Sequence, residues 1–363
     1  MTRGLAVFGG SAGAVPALQA VVSGLPAAFP AAVCVAVHVP AEAESRLPEI
    51  LTRSGPLPAR HARDGDALLP GVIHVAPPDR HLLIAPGEIR VVRTPRENGH
   101  RPAIDPLFRS AAFAYGRHVA AVLLSGALDD GVAGLATVKK RRGLVVVQDP
   151  SEAVHGDMPK SAMDQLAVDH VLPAAAIAEL LRRVAGGLVE KEAGRRRTAP
   201  AGVASGPTPE EGRDAASGLT CPDCGGALWA DASAGRVRFA CHVGHAFSTD
   251  SLASRQRDAV ESAIWHAVVL LRERSELLKR LADSAGGGRG AAATYGERAS
   301  RFAESAAVLE HALRTSRADV VEDRPRARGR DRSPASSRPR TARAAGASGA
   351  SRKRAGATRK RRR

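Results

Sequence analysis

The chain has 363 residues, of which 44% are hydrophobic but only 3% aromatic, and its formal net charge is +16. That length allows roughly two to three domains, and no apolar run reaches the ~18 to 20 residues that span a bilayer, which argues against membrane insertion. The charge is local: residues 324–363 hold 16 Lys and Arg against one acid, Asp331, and so carry +15 of it, which leaves the rest of the chain almost neutral. The first residues, MTRGLAVFGG, enter a strand almost at once, with no apolar signal region or cleavage site, so a cytoplasmic protein is expected.

The first element is the short apolar run LAVF at residues 5–8, which reads as a buried strand. It runs into Gly9-Gly10-Ser11-Ala12-Gly13, and a helical pattern follows over residues 15–25 with Pro16 in its first turn. Ser11 then sits at the carboxyl end of a strand and the amino end of a helix. Free helix N–H groups face any charge that develops beside its hydroxyl. That geometry suits a phosphate-binding loop or a serine nucleophile. A P-loop needs a lysine after its second glycine, and a dinucleotide fingerprint needs G-x-G-x-x-G with an acid about 20 residues on; neither is present. A serine nucleophile needs a histidine base and a carboxylate, and later apolar runs end in both. AAVCVAV ends at His38, and VAAVLLSGALDDG ends at Asp129-Asp130-Gly131. Strand carboxyl ends share one edge in an open parallel sheet, so Ser11, His38 and Asp130 can meet there.

Further strand-like runs are GVIHVA at 71–76, HLLIA at 81–85 with EIRVVR at 88–93, GLVVVQD at 143–149 and VDHVLP at 168–173. Helical patterns cover 44–53, 106–115, 132–140, 160–165 and 174–184. The strands lack strict alternation, which predicts burial on both faces: an α/β domain over residues 1–183 with a mostly parallel sheet between helices. The pair around Ala85-Pro86-Gly87-Glu88 reads as an antiparallel hairpin.

Residues 184–218 are rich in Gly, Ala, Pro, Arg and Glu and read as a flexible linker. Residues 219–250 hold Cys221, Cys224, Cys241 and His245 at metal-type spacing. Three thiolates and one imidazole make a closed tetrahedral set suited to structural zinc, with no open position for catalysis. His242 is an alternative fourth ligand, and Cys34, inside a strand, reads as an inert core thiol. Residues 251–317 carry an amphipathic pattern through Val260, Ile264, Val268, Leu271, Leu278 and Leu281, a break at Gly286-Gly287-Gly288, and a weaker helix over 295–315. They predict a helical hairpin. Residues 318–363 read as a disordered basic tail, fit for weak, salt-sensitive attraction to polyanions.

Six ordered stretches carry a resemblance: GGSAGAVPAL (9–18), VHVP (37–40), IHVAPPDRHL (73–82), HRPAIDPLFRSAA (100–112), VLLSGALDDGVAGL (122–135) and QDPSEAVHGDMPKSA (148–162). Together they resemble the catalytic domain of chemotaxis-type protein-glutamate methylesterases. The Cys221–Trp229 and Arg238–Ser248 stretches, with Ala263-Ile264-Trp265, are similar to a stand-alone branch of that family with a C-terminal Cys/His module. The resemblance implies a doubly wound sheet and hydrolysis of glutamate methyl esters on chemoreceptor-type signalling proteins, with glutamine deamidation by some members. It implies Ser11 as nucleophile, His38 as base and then acid, and Asp130, the aspartate directly before the glycine, as the orienting carboxylate. Oxyanion donors would be the backbone N–H groups of Ala12 and Ala127. Family members often carry methionine where Ala127 stands and glycine where Leu128 stands, which bears on specificity. They also place a phosphorylatable receiver domain before the esterase; this chain opens on the first catalytic strand, so either constitutive activity or regulation by a partner or by its own C-terminal half is expected. The rival reading is a non-catalytic signalling adaptor on the same fold.

Overall fold

The structure is a computed structural model that describes residues 4–188, 215–232, 237–284 and 289–322. Most of the expected linker and the basic tail from residue 323 onward lie outside the described residues. In chain order the catalytic half runs β1 (Leu5–Gly10), α1 (Ala14–Ser23), β2 (Ala32–Val37), α2 (Leu47–Ser54), β3 (Ala59–His61), β4 (Ile73–Val75), β5 (His81–Ala85) and β6 (Glu88–Val92). It continues α3 (Ile104–Tyr115), β7 (Val119–Leu123), α4 (Val132–Lys140), β8 (Leu144–Gln148), α5 (Asp157–Gln165), β9 (His170–Leu172) and α6 (Ala174–Leu188).

Seven strands form one sheet in the order β3-β4-β2-β1-β7-β8-β9, and every pairing in it is parallel. Alternate residues of each strand enter opposite cores. Ala6 and Phe8 of β1, with Val33 and Val35 of β2, face a core shared with α1, α2 and α6. Leu5, Val7, Ala32 and Cys34 face a second core with α3, α4 and Met158 of α5. A strand buried on both faces needs no polar alternation, which is why these runs are continuously apolar. The chain winds outward from β1 through β2 and later returns through β7 on its other side, which makes the sheet doubly wound. The switch point is the gap between the carboxyl ends of β1 and β7, where such sheets form a crevice. Strands β5 and β6 pair with each other, antiparallel.

The C-terminal half starts with β10 (Ala215–Thr220), β11 (Ala227–Asp231), β12 (Arg238–Cys241) and β13 (Ala246–Ser248), an antiparallel sheet in sequential order. Two long helices follow, α7 (Thr249–Ser284) and α8 (Arg289–Glu322). The small core of the sheet is Cys221, Leu228, Cys241, Phe247 and Leu252. Three expected boundaries shift. Helix α6 continues past residue 183 to Leu188, and β10 begins within the expected linker. Helix α8 reaches Glu322, past the expected start of the tail at residue 318.

The four-stranded sheet is clasped to the catalytic half. Asn98 N–H donates to the Ala246 carbonyl at 2.7 Å and Ala246 N–H donates to that of Arg96 at 3.3 Å. Among the described residues, those up to Glu310 cluster as one compact unit. Among the described residues, no helix is long and apolar enough to cross a membrane.

Candidate active site

Three strand ends supply the site. Gly9 and Gly10 close β1 under tight packing: a Cβ on Gly9 would lie 2.1 Å from Ile104 Cγ2. Gly13 turns the chain into α1 at φ +76°, a left-handed conformation that glycine adopts freely. Ser11 is held between them by its N–H, which donates to the Ser125 carbonyl at 2.9 Å. His38 follows β2, and its own N–H donates to the Gly10 carbonyl at 3.2 Å. Asp130 lies in the loop after β7, just before α4.

The three side chains meet. His38 Nδ1 lies 3.1 Å from Ser11 Oγ, and His38 Nε2 lies 2.7 Å from Asp130 Oδ2. An ionised carboxylate only accepts hydrogen bonds. Asp130 therefore requires the proton of His38 on Nε2, which leaves Nδ1 bare toward the serine. The other face of the imidazole is packed: His100 stacks on it with ring centroids 3.6 Å apart and planes 10° from parallel. Burial, and then the neighbouring His38, lower the pKa of His100 to about 4, so this stacked ring is neutral at neutral pH.

Asp130 is buried and receives five donors. Oδ2 takes His38 and the Ile104 N–H at 2.7 Å. Oδ1 takes Asn98 Nδ2 at 2.8 Å, Gly131 N–H at 2.9 Å and Asp105 N–H at 3.2 Å. Burial on its own would raise its pKa; the bond and charge of His38 and the Ile104 N–H outweigh that and hold the carboxyl well below the usual range. Asp129 goes elsewhere: its Oδ1 accepts from Ser248 Oγ at 2.7 Å and Ser251 Oγ at 3.1 Å.

Ala12 and Ala127, the expected oxyanion donors, are both exposed beside Ser11. Among the described residues, neither N–H has an acceptor. Leu128 next to them sits at φ +61°. Ser125 ties this rim together, its hydroxyl donating to the Ala12 carbonyl at 2.8 Å and accepting the His155 N–H at 2.9 Å.

A buried charge cluster backs Asp130. Asp105 Oδ1 accepts the Gly134 N–H at 2.6 Å, and its Oδ2 lies 3.2 Å from Arg238. Burial, with Asp130 and Glu97 nearby, raises Asp105 to about 6 against the opposing charges of Arg238 and Arg109. Glu97 pairs with Arg109 at 2.7 Å and Arg238 at 3.4 Å. No sequence signal assigns a role to Asn98, His100, Asp105 or Ser125. Asn98-Gly99 reads as an ordinary turn, and nothing local marks any of the four as buried.

Cys221, Cys224, Cys241 and His245 come together, with their ligand atoms all within 4.8 Å of one another. Cys221 Sγ lies 3.7 Å and Cys241 Sγ 3.4 Å from His245 Nδ1, and Cys224 and Cys241 sulfurs are 3.6 Å apart. A tetrahedral zinc with Zn–S about 2.3 Å and Zn–N about 2.0 to 2.1 Å spaces its ligands by about 3.5 to 3.8 Å, so the donor set fits. His242 is exposed and outside the group.

The sequence profile of the family described as CheB methylesterase matches residues 6–181. A putative protein-glutamate methylesterase/protein-glutamine glutaminase of Leptospira interrogans is 35% identical over 179 residues, covering 49% of this chain and 93% of the relative. The chain belongs to the CheB methylesterase family. Protein-glutamate methylesterase/protein-glutamine glutaminase 3 of Anaeromyxobacter dehalogenans is 43% identical over 173 residues, covering 47% of this chain and 51% of the relative. The chain thus spans about half the length of the first curated relatives it matches. The crystal structure of the Thermotoga maritima CheB methylesterase catalytic domain aligns at TM-score 0.49 and 32% identity, covering 51% of this chain and all of that one. In the CheB-type region every side chain of the Ser11–His38–Asp130 chain falls inside the matched residues.

Proposed function

We propose that this protein hydrolyses glutamate methyl esters on a chemoreceptor-type signalling protein, with Ser11 as nucleophile. The continuous hydrogen-bonded path Ser11–His38–Asp130 at the switch point carries this reading. Ser11 Oγ attacks the ester carbonyl while His38 Nδ1 takes its proton. The carbonyl oxygen becomes an oxyanion facing the free N–H groups of Ala12 and Ala127. Collapse breaks the acyl–oxygen bond, and His38 returns the proton to the leaving methoxide, which departs as methanol. Water, deprotonated by His38, then attacks the acyl-serine; the product is a glutamate carboxylate and Ser11 regains its proton. With a glutamine side chain the same steps release ammonia, which accords with the double name of the relatives. Asp130 keeps the productive tautomer and stabilises the imidazolium.

The four-residue Cys/His set would hold a structural zinc ion, whose chemistry there is to cross-link β10–β11 to β12–β13. We place the reaction in the cytoplasm, where such thiols stay reduced. The test is methanol release from a methylated receptor by the full chain and by Ser11→Ala. We expect a loss on the order of 10³-fold or more with folding intact. Near-normal release by Ser11→Ala would overturn the serine mechanism.

A further inference from the structure

We propose that Asn98 is a positioning residue for the esterase reaction and that the Cys/His module, through β13, holds it in register with Asp130. The inference rests on the Ser11–His38–Asp130 reading above.

Asn98 is buried, and every polar group of its side chain is engaged. Nδ2 donates to Asp130 Oδ1 at 2.8 Å and to Asp105 Oδ2 at 3.1 Å. Oδ1 accepts the Ser248 N–H at 3.0 Å. Its own N–H donates to Ala246. One amide therefore joins the orienting carboxylate to a strand 150 residues further along the chain. Its backbone is at φ +53°, which asparagine tolerates but does not prefer. Two bonds from β13 fix that conformation and aim Nδ2 at Asp130.

Charge points the same way. Asp105 and Asp130 are buried carboxylates that share the Asn98 amide as their spacer. The cation nearest to Asp105 is Arg238, which comes from β12 of the module. Without the module, Asn98 loses both partners on β13 and Asp105 loses that countercharge. The catalytic half would then keep its fold but hold Asp130 less firmly, and a carboxylate that wanders misdirects the imidazole it orients. The grip lies behind Asp130. Ala12, Ala127 and Leu128 on the serine side are exposed, so the module supports the reacting groups and leaves the side of attack open.

The test uses the full chain and p-nitrophenyl acetate, with Asn98→Gly and Arg238→Met. Glycine accepts φ +53° without strain, so Asn98→Gly removes the side chain alone. We expect kcat to fall about tenfold or more with KM within about twofold, while the burst of nitrophenol still reaches one per chain. A merely structural role would instead lower the burst amplitude and spare the turnover of each remaining site. Wild-type kcat in Asn98→Gly, or a loss confined to burst amplitude, would overturn the proposal. If those results come with an inactive Ser11→Ala, the serine mechanism stands and only the positioning role fails. An active Ser11→Ala would instead remove the reading beneath it.

Discussion

Replacing Asp130 by asparagine keeps the shape of the side chain and changes only what its second terminal atom can do. All five partners of the carboxylate are donors. An amide must therefore point its NH₂ at some of them. Placed at the Oδ1 position, the NH₂ faces Asn98 Nδ2 and the N–H groups of Gly131 and Asp105. Placed at Oδ2, it faces only the Ile104 N–H and His38. The second orientation orphans fewer groups and should win. It leaves the buried Ile104 N–H without an acceptor, at a cost of about 1 to 3 kcal/mol. For a domain the size of the catalytic half that lowers Tm by roughly 2 to 12 °C. It also reverses the imidazole: Nε2 now accepts from the amide, so the proton moves to Nδ1 and faces Ser11. The base is lost, and kcat should fall on the order of 10³- to 10⁴-fold. Asp129→Asn is the control. A carbonyl oxygen can still accept from Ser248 and Ser251, so stability should change by less than about 0.5 kcal/mol and activity little. Calorimetry and methanol release measure both variants. Asp130→Asn with more than about a tenth of normal turnover, or Asp129→Asn as impaired as Asp130→Asn, would refute the reasoning.

Three further outcomes are expected. Leu128→Gly should stabilise the protein by up to about 1 kcal/mol in urea unfolding, because a left-handed leucine costs roughly 1 to 2 kcal/mol and glycine's added unfolded-state entropy offsets part of that gain; a lower midpoint would contradict it. Metal analysis of the purified chain should find about one zinc, and a strong chelator should change Trp229 fluorescence as the strands of the module separate; a metal-free chain with unchanged fluorescence would exclude the zinc. His74 is fully buried, has no hydrogen-bond partner on either ring nitrogen among the described residues, and has its pKa lowered to about 4, chiefly by burial. The unfolded chain then binds the extra proton first, so stability is full above about pH 6.5 and falls by about 3 kcal/mol as pH drops toward 4; His74→Leu should flatten that part of the profile, and an unchanged slope would show that other groups cause it.

Periodicity and strand-end chemistry made much of the catalytic half legible. Helix α4 lies over residues 132–140 as its pattern indicates, and Ser11 and His38 each follow an apolar run that becomes a central strand. These are local signals, because a strand buried on both faces must be apolar throughout. Strand β3 was not legible: Ala-Arg-His is too short and too polar to read, and it becomes a strand only through its pairing with β4. The spacing of the four metal-type residues was likewise local, and their convergence needed only short hairpins. What tertiary structure alone decided is the environment of Asp130. Its aspartate neighbour turns to Ser248 and Ser251, and a turn residue, Asn98, becomes its donor because a strand far along the chain fixes it there. Such contacts leave no periodic trace in sequence: each is made by one side chain across a long chain separation, and only the packed sheet edge determines which polar groups are shut away from water and must find one another.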